Sequence, residues 1–250
     1  SFLIAALSVL SFSPSFGQDD SYQLPPKAIA DLLLAKPTPL VRIDSKAEIL
    51  LLLGRNSYPT VEELGQPEMK IAGLRLNPLN FSPSRQSPIS SITLQSIRTG
   101  AKMEITGLPK NLAAGAIAWN PSETKIAFAQ TEVNGVDLYV IDIATKKASR
   151  VNSAPLNQVV GNAFTWVDDQ TILYKVTTHD AAGAPKRPIT PKGPTIQQNV
   201  GKAAPRPTYQ DLIKSPYDES LFAYYAESQL VLYKNGVNKK IGEPDRKSVV

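Results

Sequence analysis

The stretch YDESLFAYY, residues 217–225, sets two adjacent carboxylates, Asp218 and Glu219, ahead of an aromatic run. Paired carboxylates can hold a cationic amine. The same spacing suits the start of a helix, with Asp218 or Ser220 as the cap and Glu219 near the positive end of the dipole. The capping reading is preferred, and Phe222, Tyr224 and Tyr225 then pack rather than touch a ligand. A second stretch, PKRPITPK at 185–192, is basic and proline-rich. Lys186, Arg187 and, further on, Arg206 could pair with a carboxylate if this segment faces a cavity. The plainer reading is a solvated connector.

Other chemistry is excluded by composition. The chain has 0 cysteines, so disulfides, thiolate metal sites and cysteine nucleophiles are ruled out. Its 1 histidine, His179, cannot build a multi-histidine metal site. It lies in the polar run TTHDAAGAP and reads as a solvated loop residue. No G-x-S-x-G occurs, and no catalytic residue can be named. No metal or organic cofactor is expected. Asn80 opens the sequon NFS, which is given no functional weight. The net charge of +5 is spread along the chain, without the basic stripe expected of a nucleic-acid binder.

The elements that must position these residues are strands. IAWNPSETKIAFAQTEVNGVDLYVIDIATKKASRV, residues 117–151, contains four strand-forming runs and three turns. Asn134-Gly135 between two β-rich runs predicts a hairpin with positive φ at both residues. Four antiparallel strands in about 40 residues match one β-propeller blade. The first half of the pattern recurs in FTWVDDQTILYKVT (164–177) and in PLVRIDSKAEILLLLGR (39–55), and Trp119 and Trp166 lie about 47 residues apart. The expected fold is all-β, a partial propeller of about three four-stranded blades, approximately 38–108, 112–153 and 160–243. The first blade carries an insertion with a helical turn at VEELG. The third carries the basic stretch and the YDESLFAYY segment. Three blades cannot close a ring, so exposed strand edges and marginal stability are expected, and the chain reads as a fragment.

The first 17 residues read as a signal peptide with a truncated n-region. FLIAALSVLSF is an apolar run too short to span a bilayer comfortably, and Ser15 and Gly17 suit cleavage before Gln18. Residues 18–37 read as an N-terminal extension. An exported protein, periplasmic or extracellular, without stable membrane insertion, is expected.

Five segments in order, PPKAIADLLLAKPTPLV, RNSYPTVEELGQPEMKIAGLRLNP, FTWVDDQTILYKV, PKRPITPKGPTIQQN and TYQDLIKSPYDESLFAYYAESQLVL, resemble the N-terminal part of glutamyl endopeptidase-type enzymes of the prolyl oligopeptidase family. The resemblance covers roughly residues 25 to 245. It implies a propeller that gates access to a C-terminal α/β-hydrolase domain, with a Ser-Asp-His triad beyond Val250. It also implies peptides or unfolded proteins as substrates, cleaved after Glu, with Asp218, Glu219 and Arg206 as candidate substrate contacts. Two rivals stay open: a non-enzymatic periplasmic propeller that binds proteins or glycans, and an unrelated β-sandwich fragment.

Overall fold

The computed structural model describes residues 25–189 and 210–246. The expected signal peptide, Arg206 and the end of the basic stretch lie outside the described residues. Residues 1–35 and 36–250 form two units. The described part of the first is one helix, α1 (Lys27–Leu34), with a Lys27–Asp31 ion pair one turn apart.

The second unit is built from short antiparallel strands. β1 (Leu40–Ile43) and β2 (Ile49–Arg55) form a hairpin. The chain then leaves the sheet through α2 (Val61–Leu64) and a separate three-stranded sheet, β3 (Met69–Ile71), β4 (Leu74–Asn77) and β5 (Ser82–Pro83). The helical turn expected at VEELG is α2. Thr60 and Glu63 close a reciprocal capping box on it. The chain returns as β6 (Ile89–Ser96), paired with β2, and β7 (Lys102–Met103). β8 (Ala114–Trp119), β9 (Lys125–Glu132), β10 (Gly135–Asp142) and β11 (Lys147–Arg150) follow as a meander. β12 (Phe164–Trp166) and β13 (Thr171–Thr177) pair next. After a long insertion come β14 (Ser228–Lys234) and β15 (Val237–Asp245), which complete the order β12-β13-β14-β15. The architecture is an all-β partial propeller of three four-stranded blades.

Why the blades stack is legible in β9. Its residues alternate between two cores and are buried on both faces. Ile126 and Phe128 pack toward the first blade, with Leu51, Leu53, Ile92 and Leu94. Ala127 and Ala129 pack toward the third, with Phe164, Ile172, Tyr174 and Val231. Small residues on one face and large ones on the other let a middle strand serve two neighbours.

The inner strands and their turns repeat the same contacts from blade to blade. Arg42 donates to the Ile117 carbonyl at 2.7 Å, and the Trp166 indole donates to the Ala118 carbonyl at 3.3 Å. Ser45 Oγ binds the Glu123 carboxylate, and the Ser122 amide binds Asp169 at 2.7 Å. So the polar turns that recur in the sequence touch one another in space.

Two details differ from expectation. A single pair, Ile89↔Ala114, joins the first two blades into one eight-stranded sheet. The Asn134-Gly135 hairpin forms, but Gly135 pairs with Glu132 inside the ladder and has no left-handed φ. Val133 and Asn134 make the turn instead. Gly135 is there for clearance, since a Cβ would come within 3.2 Å of Pro155. The second Asn-Gly behaves as expected, with φ of 50° at Asn235 and 85° at Gly236.

Candidate functional site

The two insertions meet each other. The β3–β5 sheet comes from the first blade and helix α3 (Pro216–Ala226) from the third. Ile71, Leu76 and Phe81 pack with Leu221, Tyr225 and Val159 in one buried cluster. The Phe81 ring sits 4.9 Å from that of Tyr225. Asn157 ties the junction to the third blade. Its amide donates to the Tyr225 and Glu227 carbonyls at 2.8 and 2.9 Å, and its oxygen accepts from Val159.

Asp218, Glu219 and Ser220 all lie inside α3, so neither Asp218 nor Ser220 is its cap, and Asp218 and Glu219 stand on the first turn near the positive end of the dipole. The cap itself is Ser215, whose hydroxyl accepts from the Asp218 amide at 3.2 Å. Asp218 accepts in return from the Lys214 amide at 3.0 Å. Those backbone and side-chain hydrogen bonds hold the Asp218 carboxyl below the usual range, with help from Arg187. Glu219 is exposed on the same turn. Ser220 turns back to the Pro216 carbonyl at 2.8 Å. Lys186 and Arg187 are exposed.

His179 is better held than a solvated loop residue. Its ring stacks on Tyr224 at 4.3 Å, and Nε2 lies 3.0 Å from Glu227 Oε1. Thr178 donates to the same carboxylate oxygen at 3.0 Å. Imidazole and hydroxyl thus converge on Glu227 rather than on each other. This arrangement anchors the loop and does not activate a nucleophile. Tyr224 adds a 2.5 Å hydrogen bond to the Asp180 carbonyl. Nothing in the local sequence around His179 points to Glu227, which lies across the whole insertion.

The sequence reading also missed a charged group on the β3–β5 sheet. Glu68 is half-buried, with its side chain 14% exposed, and three cations converge on it. Arg85 lies at 2.7 Å, Arg75 at 3.7 Å and Lys70 at 3.8 Å. The Ser84 hydroxyl, at 2.8 Å, is the main cause of the lowered Glu68 pKa, and the three cations add to it. Asn80 is buried, and its amide donates to the Glu132 carbonyl, so the NFS sequon is closed to glycosylation in the folded chain.

An open cleft of about 410 Å³ lies at the β9–β10 turn, lined by Glu132, Asn134, Asp137, Arg150 and Pro155. Asp137 and Arg150 already pair there at 3.1 Å. Among the described residues no group of three or more His, Asp or Glu side chains could hold a metal. No described helix is long and apolar enough to cross a membrane.

Comparison with known proteins shows what the chain is similar to. The chain is 31% identical over 255 residues to a probable chloroplastic glutamyl endopeptidase of Arabidopsis thaliana, covering 94% of this chain. It is 30% identical over 238 residues to the corresponding protein of Oryza sativa subsp. japonica, covering 89% of this chain. The similarity to these two relatives runs through nearly the whole chain. It spans about a quarter of each relative, 25% and 26%. No family model matches. Among solved structures, Pyrococcus horikoshii acylaminoacyl peptidase aligns at a TM-score of 0.34 and 14% identity, over 84% of this chain and 33% of that one. The AtxE2 isopeptidase aligns at 0.31 and 11%, over 84% and 38%. At these scores the fold assignment of the chain rests on its own strand topology.

Proposed function

We propose that this chain is the propeller part of an exported serine peptidase that cleaves peptides after glutamate. The observation that carries the reading is the similarity to glutamyl endopeptidases over 89–94% of the chain. The stacked blades support a steric role. They form a rigid wall whose shape, rather than any one side chain, admits peptides or unfolded segments to an α/β-hydrolase domain of the same protein. No step of the chemistry falls to the residues described here. The serine nucleophile, its histidine and its aspartate belong to that other domain. The apolar run at residues 2–12 supports export to the periplasm or beyond.

The test is to produce the protein from its complete coding sequence and challenge it with paired peptides that differ by one Glu or Gln. Cleavage after Glu, abolished by a serine-directed fluorophosphonate, is the expected result. No hydrolysis of any peptide, or a coding sequence with further blades and no G-x-S-x-G, would leave a binding propeller in its place.

A further inference from the structure

The β3–β4 hairpin is built at a cost that folding does not explain. Its turn is Ala72-Gly73, with φ of 51° and 75°, and a left-handed alanine is strained. One face is apolar. Met69 pairs with Leu76 and Ile71 with Leu74, and this face packs on α3 and Val159. On the other face Lys70 stands directly opposite Arg75. Like charges in directly opposed positions destabilise a sheet. Arg85 brings a third cation, and Glu68 is the one carboxylate paired with all three. Its Oε2 is taken by Arg85 and Ser84. Lys70 and Arg75 share Oε1 at 3.8 and 3.7 Å, longer than good hydrogen bonds. Their side chains stay 47% and 41% exposed. Arg75 also donates to Gln210 Oε1 at 3.4 Å, and the two cationic heads still point at one carboxylate oxygen with donors to spare.

We infer that Lys70 and Arg75, presented by this hairpin, bind the side-chain carboxylate of an acidic peptide. The inference rests on the peptide-substrate reading above and adds a docking subsite to it. A second carboxylate laid between the two heads removes the repulsion that Glu68 only half offsets. Arg75 offers guanidinium N–H donors beyond those turned to Glu68 and Gln210, and Lys70 a point charge beside it. The hairpin is held rigid from behind by the apolar cluster, so little order is lost on binding.

The experiment is fluorescence anisotropy of this chain with a labelled, C-terminally amidated peptide carrying Glu, against the same peptide carrying Gln. The double variant Lys70→Gln/Arg75→Gln is measured beside it, with thermal melts of both proteins. The expected result is Glu-peptide binding that weakens with salt, weakens about tenfold in the double variant, and exceeds Gln-peptide binding. The variant's melting temperature stays level or rises, because a like-charge pair has gone. Equal binding of the two peptides overturns the inference. So does unchanged Glu-peptide affinity in the variant, or a fall in its melting temperature with binding retained. Binding of a free C-terminal carboxylate but not the amidated Glu peptide overturns the side-chain assignment. If the double variant melts below the assay temperature, Lys70→Gln alone decides the matter through the same comparison. Cleavage after Glu by the longer protein with no Glu preference in this binding assay would sink the subsite and spare the peptidase reading.

Discussion

Replacing Lys175 with methionine should stabilise the protein at neutral pH and remove a pH response that the native chain shows. Lys175 is 1% exposed in the middle of β13. Its ammonium donates to the Val160 carbonyl, and burial lowers its pKa from 10.5 to about 8. At pH 7 the amine is charged in both folded and unfolded chains, so the whole burial penalty is present. As pH rises through 8 the folded chain gives up its proton, while the unfolded chain keeps its own to 10.5. The unfolded state then binds more protons, and stability rises with pH between those values. The gap corresponds to roughly 3 kcal/mol at most. The bond to the Val160 carbonyl offsets part of it, and about 1–2 kcal/mol is the expected gain. Buried tyrosines such as Tyr225, whose pKa is raised by burial, complicate the range above 10, so the useful window is pH 7 to 9.5. Urea unfolding at four pH values in that window measures the slope. Lys175→Met should be more stable at pH 7 by about 1–2 kcal/mol and flat with pH, since an apolar side chain of similar length carries no desolvation cost. A variant that is less stable at pH 7, or that keeps the native slope, would refute the reasoning. It would mean that the bond to Val160 outweighs the desolvation, or that another group titrates.

Four further outcomes follow from named contacts. Phe128→Ala removes a fully buried ring stacked on Tyr139 at 5.4 Å, and chemical denaturation should show a loss of about 3–5 kcal/mol. Ser215→Ala should cost about 1 kcal/mol as α3 loses its cap, and hydrogen exchange in residues 217–219 should speed up. Asp218→Asn should flatten the acid limb of the stability curve: its carboxyl pKa is lowered in the folded state, so its contribution is present above the unfolded pKa and disappears as pH falls through the folded one. Gly236→Ala should cost about 1 kcal/mol for its left-handed φ, whereas the cost of Gly135→Ala should follow crowding against Pro155, which Pro155→Ala would relieve in a double-mutant cycle.

The blade pattern was legible because it is local. Strand alternation, polar turns and the Asn-Gly at 235–236 depend on residues that are neighbours in sequence, and steric preference fixes their backbone before any distant contact forms. The capping of α3 was legible for the same reason, although the cap is Ser215 rather than the Asp218 or Ser220 favoured by the sequence. Kinship was legible in long ordered segments. What the tertiary structure alone decided involves pairs far apart in the chain. His179 and Glu227 meet across an insertion. Glu68 gathers three cations because β3, β4 and β5 fold back on one another. The hairpin turns at Val133-Asn134 because the ladder pairs Gly135 with Glu132. Lys175 is buried where Asn157 and Val160 bond to it, and a strand pattern read alone does not reveal what will cover a lysine. Burial and charge convergence are sums over the whole chain's packing, so they appear only once the chain has closed on itself.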